Sequence, residues 1–306
     1  MKLAVPDMVS PSYFPAVAAV ELGFFKAEGL DVELELLFPI DAAYRALREG
    51  TIDFVGGSAH AALSAFPEWE GVKLLCAQSQ GIYWFLVVGA DLGAARGDLA
   101  VVKGRTIGAS AWVEMGLRAL LGDAGIDVHR DEVRIGPVER RPDERNFGVA
   151  AAKRLEERAI DGFWANGMAA ELAVRRRFGT IVLDARRDTA GEARDYTFPA
   201  LAASDRLIAR APGAAAAAVR AVVAAQRALA ERPERAAEVG RRLFPADEAA
   251  LIADLVSRDA PYYNAAIAPP AVIALNGFAR RMGILTRDVP YEAVVAAQFA
   301  PLWRMA

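Results

Sequence analysis

The sequence predicts an α/β protein of two lobes, each built on a mostly parallel sheet flanked by helices. Strand and helix patterns alternate along two separate stretches of the chain, which is typical of parallel sheet units. The 306 residues also exceed what one hydrophobic core usually serves, about 250 to 300 residues. We expect lobe one to comprise residues 1–90 and 200–306 and lobe two residues 91–199, joined by two hinge crossings.

Lobe one is predicted from a regular order of strands and helices. A helix is expected from Tyr13 to Leu22, with Ser12 as its N-cap. Gly23 and Gly29 are expected to end helical pieces at positive backbone angles, and Gly50 ends the next helix. The predicted strands are 2–7, 31–37, 52–56 and 73–79, followed by an apolar run over 83–89. Gly56-Gly57-Ser58 is expected to form a turn that opens a helix.

Lobe two is predicted to follow a crossing segment, residues 91–103, in which Gly, Asp and Ala occur without a clear period. Its strands are expected at 105–109, 132–136, 160–165 and 179–184, and its helices at 112–122, 148–158 and 168–177. Residues 196–204 are expected to be the return crossing. Helices at 213–231, 234–242, 247–258, 268–281 and 291–300 should pack back on lobe one.

Three segments carry a family resemblance: ELGFFKAEGLDVEL at 21–34, ALREGTIDF at 46–54 and VVKGRTIGAS at 101–110. In these segments the chain resembles the substrate-binding proteins of nitrate, sulfonate and taurine ABC transporters. That superfamily also contains thiamine-pyrimidine-synthase-like enzymes. The resemblance covers roughly the first two thirds of the chain. It implies the type II periplasmic-binding-protein fold, a small organic ligand, an ABC permease as partner and no cofactor.

The ligand site is predicted from topology, because ligands of open α/β sheets bind beyond the carboxyl ends of the strands. The loops that qualify are 7–14, 56–60, 77–84, 109–112 and 163–167. They are rich in aromatic residues, which suit a flat or apolar ligand body, although each ring is alternatively a core residue. The expected ligand-binding residues are Ser12, Tyr13, Phe14, Ser58, His60, Gln80, Tyr83, Trp84, Ser110, Trp112, Trp164 and Asn166.

The polar residues of these loops favour a neutral or singly anionic ligand. Ser58 and Ser110 stand at predicted helix starts, where they would hold a carboxylate or sulfonate or serve as ordinary N-caps. None of the loops carries lysine or arginine, so a multiply charged phosphate would lack a cationic clamp. Arg140, Arg141 and Arg145 lie in a separate predicted lid, residues 137–147, where they are solvated or contact a carboxylated ligand.

These observations lead to the hypothesis of a solute-binding protein that closes around an aromatic or planar organic molecule for an ABC importer. The alternative is an intracellular enzyme of decarboxylase or lyase type, or a ligand sensor, with His60 at its centre. A catalytic His60 would need a partner, for which Asp7 and Glu114 are candidates. We expect ligand binding rather than catalysis, and assign no catalytic residue.

Other classes of function lack support in the sequence. The net charge of −3 gives no nucleic-acid footprint, and no apolar run is long enough to cross a membrane. Two histidines and one cysteine, Cys76, provide neither a disulfide nor a recognisable metal site. Ser58 lacks the second glycine of the hydrolase elbow, since His60 occupies that position. Thiamine-pyrimidine-synthase-like chemistry is disfavoured too, because no lysine falls in the loops.

Localisation and oligomeric state are less constrained. Residues 2–7 form a predicted strand without a preceding basic and apolar leader. We therefore expect a periplasmic protein if a leader has been removed and a cytoplasmic one if Met1 is the native start. A monomer is expected in both cases.

Overall fold

The computed structural model describes residues 1–304 and shows an α/β protein with two mixed sheets flanked by helices. The chain divides into two compact units. The first unit comprises residues 1–81 and 195–306, and the second comprises residues 82–194. The chain thus passes between the units twice, at 81–82 and at 194–195.

The strands of the two sheets are β1 (Lys2–Val5), β2 (Glu33–Leu36), β3 (Phe54–Ser58), β4 (Val72–Ala77), β5 (Phe85–Gly89), β6 (Thr106–Ala109), β7 (Arg134–Gly136), β8 (Gly162–Ala165), β9 (Gly179–Asp184) and β10 (Pro199–Ser204). The helices up to the second crossing are α1 (Phe14–Glu21), α2 (Phe24–Ala27), α3 (Ile40–Glu49), α4 (Glu114–Asp123), α5 (Phe147–Glu156), α6 (Gly167–Arg175) and α7 (Ala185–Asp188). Those after it are α8 (Asp205–Arg210), α9 (Pro212–Glu231), α10 (Arg235–Leu243), α11 (Ala246–Asp259), α12 (Pro269–Arg281) and α13 (Tyr291–Val294).

The sheet of the first unit has the strand order β2-β1-β3-β10-β4. β1 pairs in parallel with β2 and β3, whereas β10 is antiparallel to β3 and β4. Pro199 is in register with Ser58, and Ala200 with Ala77. The start of β10 therefore lies at the edge where β3 and β4 end.

The sheet of the second unit repeats this arrangement in the order β7-β6-β8-β5-β9. β6 is parallel to β7 and β8, and β5 is antiparallel to β8 and β9. Phe85 is in register with both Ala165 and Asp184. In each sheet, one antiparallel strand begins where its neighbours end.

The strand β5 corrects the predicted course of the chain. Residues 83–89 were expected in lobe one, but β5 pairs within the second sheet. The segment 91–103, expected as the crossing, lies inside the second unit, where the N–H of Gly97 donates to the carbonyl of Val182 (2.8 Å). The apolar pattern of β5 shows that the strand is buried, but it does not show which sheet it joins.

Local chemistry explains the boundaries around β3. Gly50 ends α3 at φ +81°, and its N–H donates to the carbonyl of Ala46 (3.0 Å), as predicted. The prediction of a turn at Gly56-Gly57-Ser58 was wrong, because these residues complete β3. A Cβ at Gly57 would lie 2.5 Å from Ile40 Cδ1, so glycine allows α3 to pack closely on the strand.

The helices after β10 belong to the first unit, as expected. The longest, α9, buries an alanine-rich face that includes Ala217, Ala218, Ala221 and Ala225. The predicted helix 291–300 is instead the short α13 followed by a 3-10 helix, Ala297–Arg304. Among residues 1–304, no helix combines the length and the apolar character that a membrane crossing requires.

Candidate functional site

The carboxyl edge of the first sheet carries half of the predicted site residues. We call this edge the first rim: residues 7–14, 58–60, 78–80 and 196–198. The segment after β1 is fixed by Asp7, whose Oδ1 accepts hydrogen bonds from the N–H groups of Val9 and Ser10 (2.8 Å each). The Tyr13 hydroxyl donates to Asp7 Oδ2 (2.8 Å), so the predicted ligand contact Tyr13 is held by this carboxylate.

Two serines of this segment differ in their hydrogen bonding. Ser12 does not cap α1, because its hydroxyl donates to Asp259 Oδ2 (2.8 Å), and Tyr13 is the N-cap residue. The Ser10 side chain is 1% exposed, and its Oγ has no hydrogen-bond partner in the described structure. A buried hydroxyl without a partner is costly, so Ser10 is a candidate contact for a polar ligand atom.

His60 lies at the first rim in a fully enclosed position. Its ring is 0% exposed and packs edge-on against Phe278 with centroids 5.4 Å apart. His60 Nδ1 is 2.9 Å from the hydroxyl oxygen of Thr197, which precedes β10. Of the two candidate carboxylate partners, Asp7 holds the segment after β1 and Glu114 forms an ion pair with Arg118 (3.0 Å) in the second unit.

The other predicted residues of this rim have structural partners. The Phe14 ring is in the core, edge-on to Phe244 at 6.2 Å. Gln80 Nε2 donates to the carbonyls of Asn264 (2.7 Å) and Ala266 (2.9 Å). Ser58 precedes a 3-10 helix, Ala59–Ser64, but its side chain does not cap it.

The carboxyl edge of the second sheet carries the other predicted residues. We call it the second rim: residues 83–84, 110–112, 164–167 and 185–186. Three rings form one cluster there: the Tyr83 and Trp84 centroids are 4.5 Å apart, and those of Trp84 and Trp164 are 6.0 Å apart. Trp164 is 0% exposed, and its indole N–H donates to the carbonyl of Val113 (3.0 Å). The three rings are thus part of the hydrophobic core and also lie at the second rim.

Trp112 has an unusual backbone. Its φ is +70°, in the left-handed region that bulky residues rarely adopt, and its side chain is partly exposed. This conformation explains why α4 begins at Glu114 and not at the predicted residue 112. Ser110 therefore does not cap a helix, although its carbonyl accepts from the N–H of Glu114 (3.0 Å). Strained residues of this kind cluster at binding sites.

Asn166 is the predicted polar residue whose role as a cap is clear. Its Oδ1 accepts from the N–H of Ala169 (3.1 Å) and thereby caps α6.

Arg186 is a rim residue that the sequence analysis missed. Because β9 is parallel to β8, the segment after β9 reaches the same edge as the other loops. The Arg186 guanidinium lies 6.0 Å from the centroid of the Tyr83 ring, and the side chain is 4% exposed. The expected lack of cations therefore holds for the predicted loops but not for the second rim as a whole.

The predicted lid, residues 137–147, is organised by Glu144. Its Oε2 accepts from the N–H of Arg141 (2.8 Å) and from Arg154 (2.7 Å). Burial disfavours the charged form of Glu144, but the Arg141 N–H and the charges of Arg154 and Lys153 outweigh it and lower the pKa of Glu144. Arg141 itself pairs with Glu157 (2.9 Å), while Arg145 is exposed.

No group of three or more His, Cys, Asp or Glu side chains that would hold a metal ion occurs among residues 1–304. Cys76 is buried, which raises its pKa to about 12. The thiol is therefore protonated at neutral pH.

Comparison with known proteins gives a family and a fold. The family model described as NMT1/THI5 like matches residues 10–236. No curated protein matches the sequence. Solved structures are similar over nearly the whole chain.

One of them is the periplasmic aliphatic sulphonate binding protein SsuA from Escherichia coli, with a TM-score of 0.70 and 11% identity, covering 96% of this chain and 91% of that chain. The periplasmic nitrate-binding protein NrtA from Synechocystis PCC 6803 has a TM-score of 0.65 and 16% identity, covering 81% and 68%. A mutant of the enzyme DSZB in complex with biphenyl-2-sulfinic acid has a TM-score of 0.65 and 18% identity, covering 98% and 97%. At these identities the comparison shows a shared fold, that of two-lobed periplasmic binding proteins.

Proposed function

The chain belongs to the NMT1/THI5-like family, and from this premise we propose that it is a solute-binding protein that presents a small organic anion to an ABC importer. Binding proteins for sulfonate and nitrate share its fold. We propose that the second rim holds the ligand, with the ring cluster against a flat ligand body and polar groups around its edge.

The position of Arg186 is the observation on which the proposed chemical class of the ligand depends. A guanidinium that is 4% exposed and lies over a tyrosine ring provides charge inside an aromatic wall. Guanidinium groups bind carboxylate and sulfonate through paired N–H donors. A planar ligand with one anionic group therefore suits Tyr83, Trp84 and Arg186 together better than a neutral ligand or a phosphate ester.

Trp112 adds to the proposed site of the second rim, and Ser10 is a candidate polar contact within the first unit. The Ser10 hydroxyl would gain the hydrogen-bond partner that it lacks. The partly exposed Trp112 indole would supply contact area on the second rim. Ser12 and Phe14, in contrast, have partners inside the first unit, and we propose a supporting role for them.

A thermal-shift screen tests the proposal, because a ligand that binds only the native state raises the melting temperature. The screen compares benzoate and benzenesulfonate with uncharged benzamide and with the small anions taurine and nitrate. For an aromatic anion that binds, Arg186→Gln should weaken affinity about 30-fold or more, since an ion pair in a buried site is lost.

Arg187→Gln is the matched control for this test. Arg187 is the next residue, and its guanidinium pairs with Asp184 (2.7 Å). Loss of binding in both variants to the same degree, or binding of benzamide as tightly as benzoate, would contradict the role of Arg186.

An enzyme is the second candidate, because DSZB shows that this fold also supports an enzyme. His60 would be its catalytic base, with Nδ1 placed 2.9 Å from the Thr197 hydroxyl oxygen. Turnover of a bound ligand by the wild type, abolished in His60→Ala while binding persists, would favour the enzyme. Unchanged ligand after prolonged incubation favours the binding protein.

A further inference from the structure

The second unit contains a cavity lined in part by β6 and by the edge strand β7, which we call the edge cavity. Its volume is about 620 Å³, within the range of small-molecule sites. Residues that line it include Thr106, Arg134, Gly136, Val138, Glu139 and Ile160. None of the residues of the second rim is among those that line it.

The lining combines an apolar floor with basic side chains. Val138 and Ile160 belong to the floor, and a Cβ at Gly108 would lie 2.6 Å from Val138 Cγ1, so the floor packs tightly on β6. Arg118, Arg134 and Arg154 contribute positive charge, against one carboxylate, that of Glu139. The cavity is thus lined by more basic than acidic side chains, in a chain whose net charge is −3.

The three arginines differ in what they bind. Arg118 pairs with Glu114 (3.0 Å) and Arg154 with Glu144 (2.7 Å), so both are neutralised and shape the wall. Arg134 donates only to neutral oxygens, the Thr106 hydroxyl (3.0 Å) and the carbonyl of Gly104 (3.0 Å). Within the described residues Arg134 forms no ion pair.

We propose that the edge cavity is a second ligand site, which binds a small organic anion with its charged group on Arg134 and its apolar body over Val138 and Ile160. The two bonds to neutral oxygens hold the guanidinium at the cavity and leave N–H donors for a carboxylate or sulfonate. This second site is separate from the proposed ligand site of the solute-binding function, and it lies within one unit.

Gly136 offers a way to close the cavity without disturbing the fold. A Cβ at Gly136 would meet no atom within 4 Å, and the residue lines the cavity from β7. Gly122, on α4, likewise has no atom within 4 Å of a Cβ and does not line the cavity. Gly136→Phe and Gly122→Phe are therefore a matched pair that adds the same ring inside and outside the cavity.

Isothermal titration calorimetry of the full chain with phenylacetate and phenylacetamide tests the proposal. Wild-type protein should bind phenylacetate, and the affinity should fall at least about tenfold in Arg134→Gln and in Gly136→Phe, as loss of a charged hydrogen bond or of the space implies. Gly122→Phe should bind as the wild type does, and phenylacetamide should bind at least about tenfold more weakly than phenylacetate.

Three results would overturn the edge cavity as an anion site. One is the absence of phenylacetate binding to the wild type at millimolar concentration. Another is equal binding by Gly136→Phe and the wild type. The third is binding that Trp112→Ala removes and Gly136→Phe retains, which would place the probe at the second rim. Circular dichroism of each variant confirms that a loss of binding is not a loss of fold.

Discussion

Because the backbone of Trp112 is left-handed, we expect two substitutions at this position, to glycine and to alanine, to differ in stability but not in ligand affinity. An L-residue in this region costs roughly 1 to 2 kcal/mol, and glycine avoids that cost. Glycine loses about 0.5 to 1 kcal/mol more chain entropy than alanine on folding. At φ +70°, Trp112→Gly should therefore be more stable than Trp112→Ala by roughly 0.8 kcal/mol, the difference between the mid-points of these two ranges.

The comparison between the two variants isolates the backbone, because both lose the whole indole ring. Packing lost with the ring is common to them, so it cancels in the difference between their free energies of unfolding. Both should lose ligand affinity to the same extent, about 1 to 3 kcal/mol, if the indole contacts the ligand. The strain at Trp112 is then a cost in stability that places the ring at the second rim.

Urea unfolding of both variants, followed by far-UV circular dichroism, measures the stability difference, and calorimetry with the ligand found in the screen measures binding. A Trp112→Ala protein as stable as Trp112→Gly would refute the backbone argument. Wild-type affinity in both variants would refute the role of the indole. Gly122→Ala, in an unstrained helix, is the control and should stabilise or leave stability unchanged.

Three further predictions concern the second unit. Glu144→Gln should lower the free energy of unfolding by about 3 kcal/mol at neutral pH, because it removes the buried charge that pairs with Arg154 and leaves that arginine with the more exposed Glu157. Since the native pKa of Glu144 lies below 4.5, this difference should persist above that pH and vanish as pH falls through the native pKa, which urea titrations from pH 7 downward would show. Trp164→Ala should cost about 3 to 5 kcal/mol of stability, since the ring is fully buried, and a fold that melts as the wild type does would contradict this. Gly162→Ala should destabilise by about 1 to 3 kcal/mol, because its Cβ would lie 2.6 Å from the carbonyl oxygen of Val87, whereas Gly136→Ala should be nearly neutral by the same thermal melt.

The sequence was sufficient to predict the fold class, because the signals that mark the ends of strands and helices are local. Gly50 and the strand patterns around it mark boundaries that the structure reproduces within a few residues. The sheet that β5 joins depends on contacts far apart in the chain, and a buried apolar strand looks the same in either sheet. The positive φ of Trp112 could not be predicted from the sequence either, because Gly and Asn favour positive φ and tryptophan does not.

Arg186 was missed because the segment after the predicted strand 179–184 was left out of the loops expected to bind the ligand. The strand 179–184 was predicted correctly, and the Arg186-Arg187 pair is visible in the sequence. The predicted parallel sheet already implied the direction of β9, which ends at the same edge as β8, but the segment after 179–184 was not counted among the loops of that edge. Once that direction is known, the rule that ligands bind beyond carboxyl ends applies to the segment after β9 as it does to the others.

The same topology explains why the segments that connect the two units supply rim residues. A strand that enters a sheet antiparallel to its neighbours must begin at the edge where they end, as β5 and β10 both do. The residues that precede each entry are then placed at a rim by connectivity alone: Tyr83 and Trp84 before β5, and Thr197 before β10. Trp84 and Thr197 are thus tied to the crossings as well as to the rim partners Trp164 and His60.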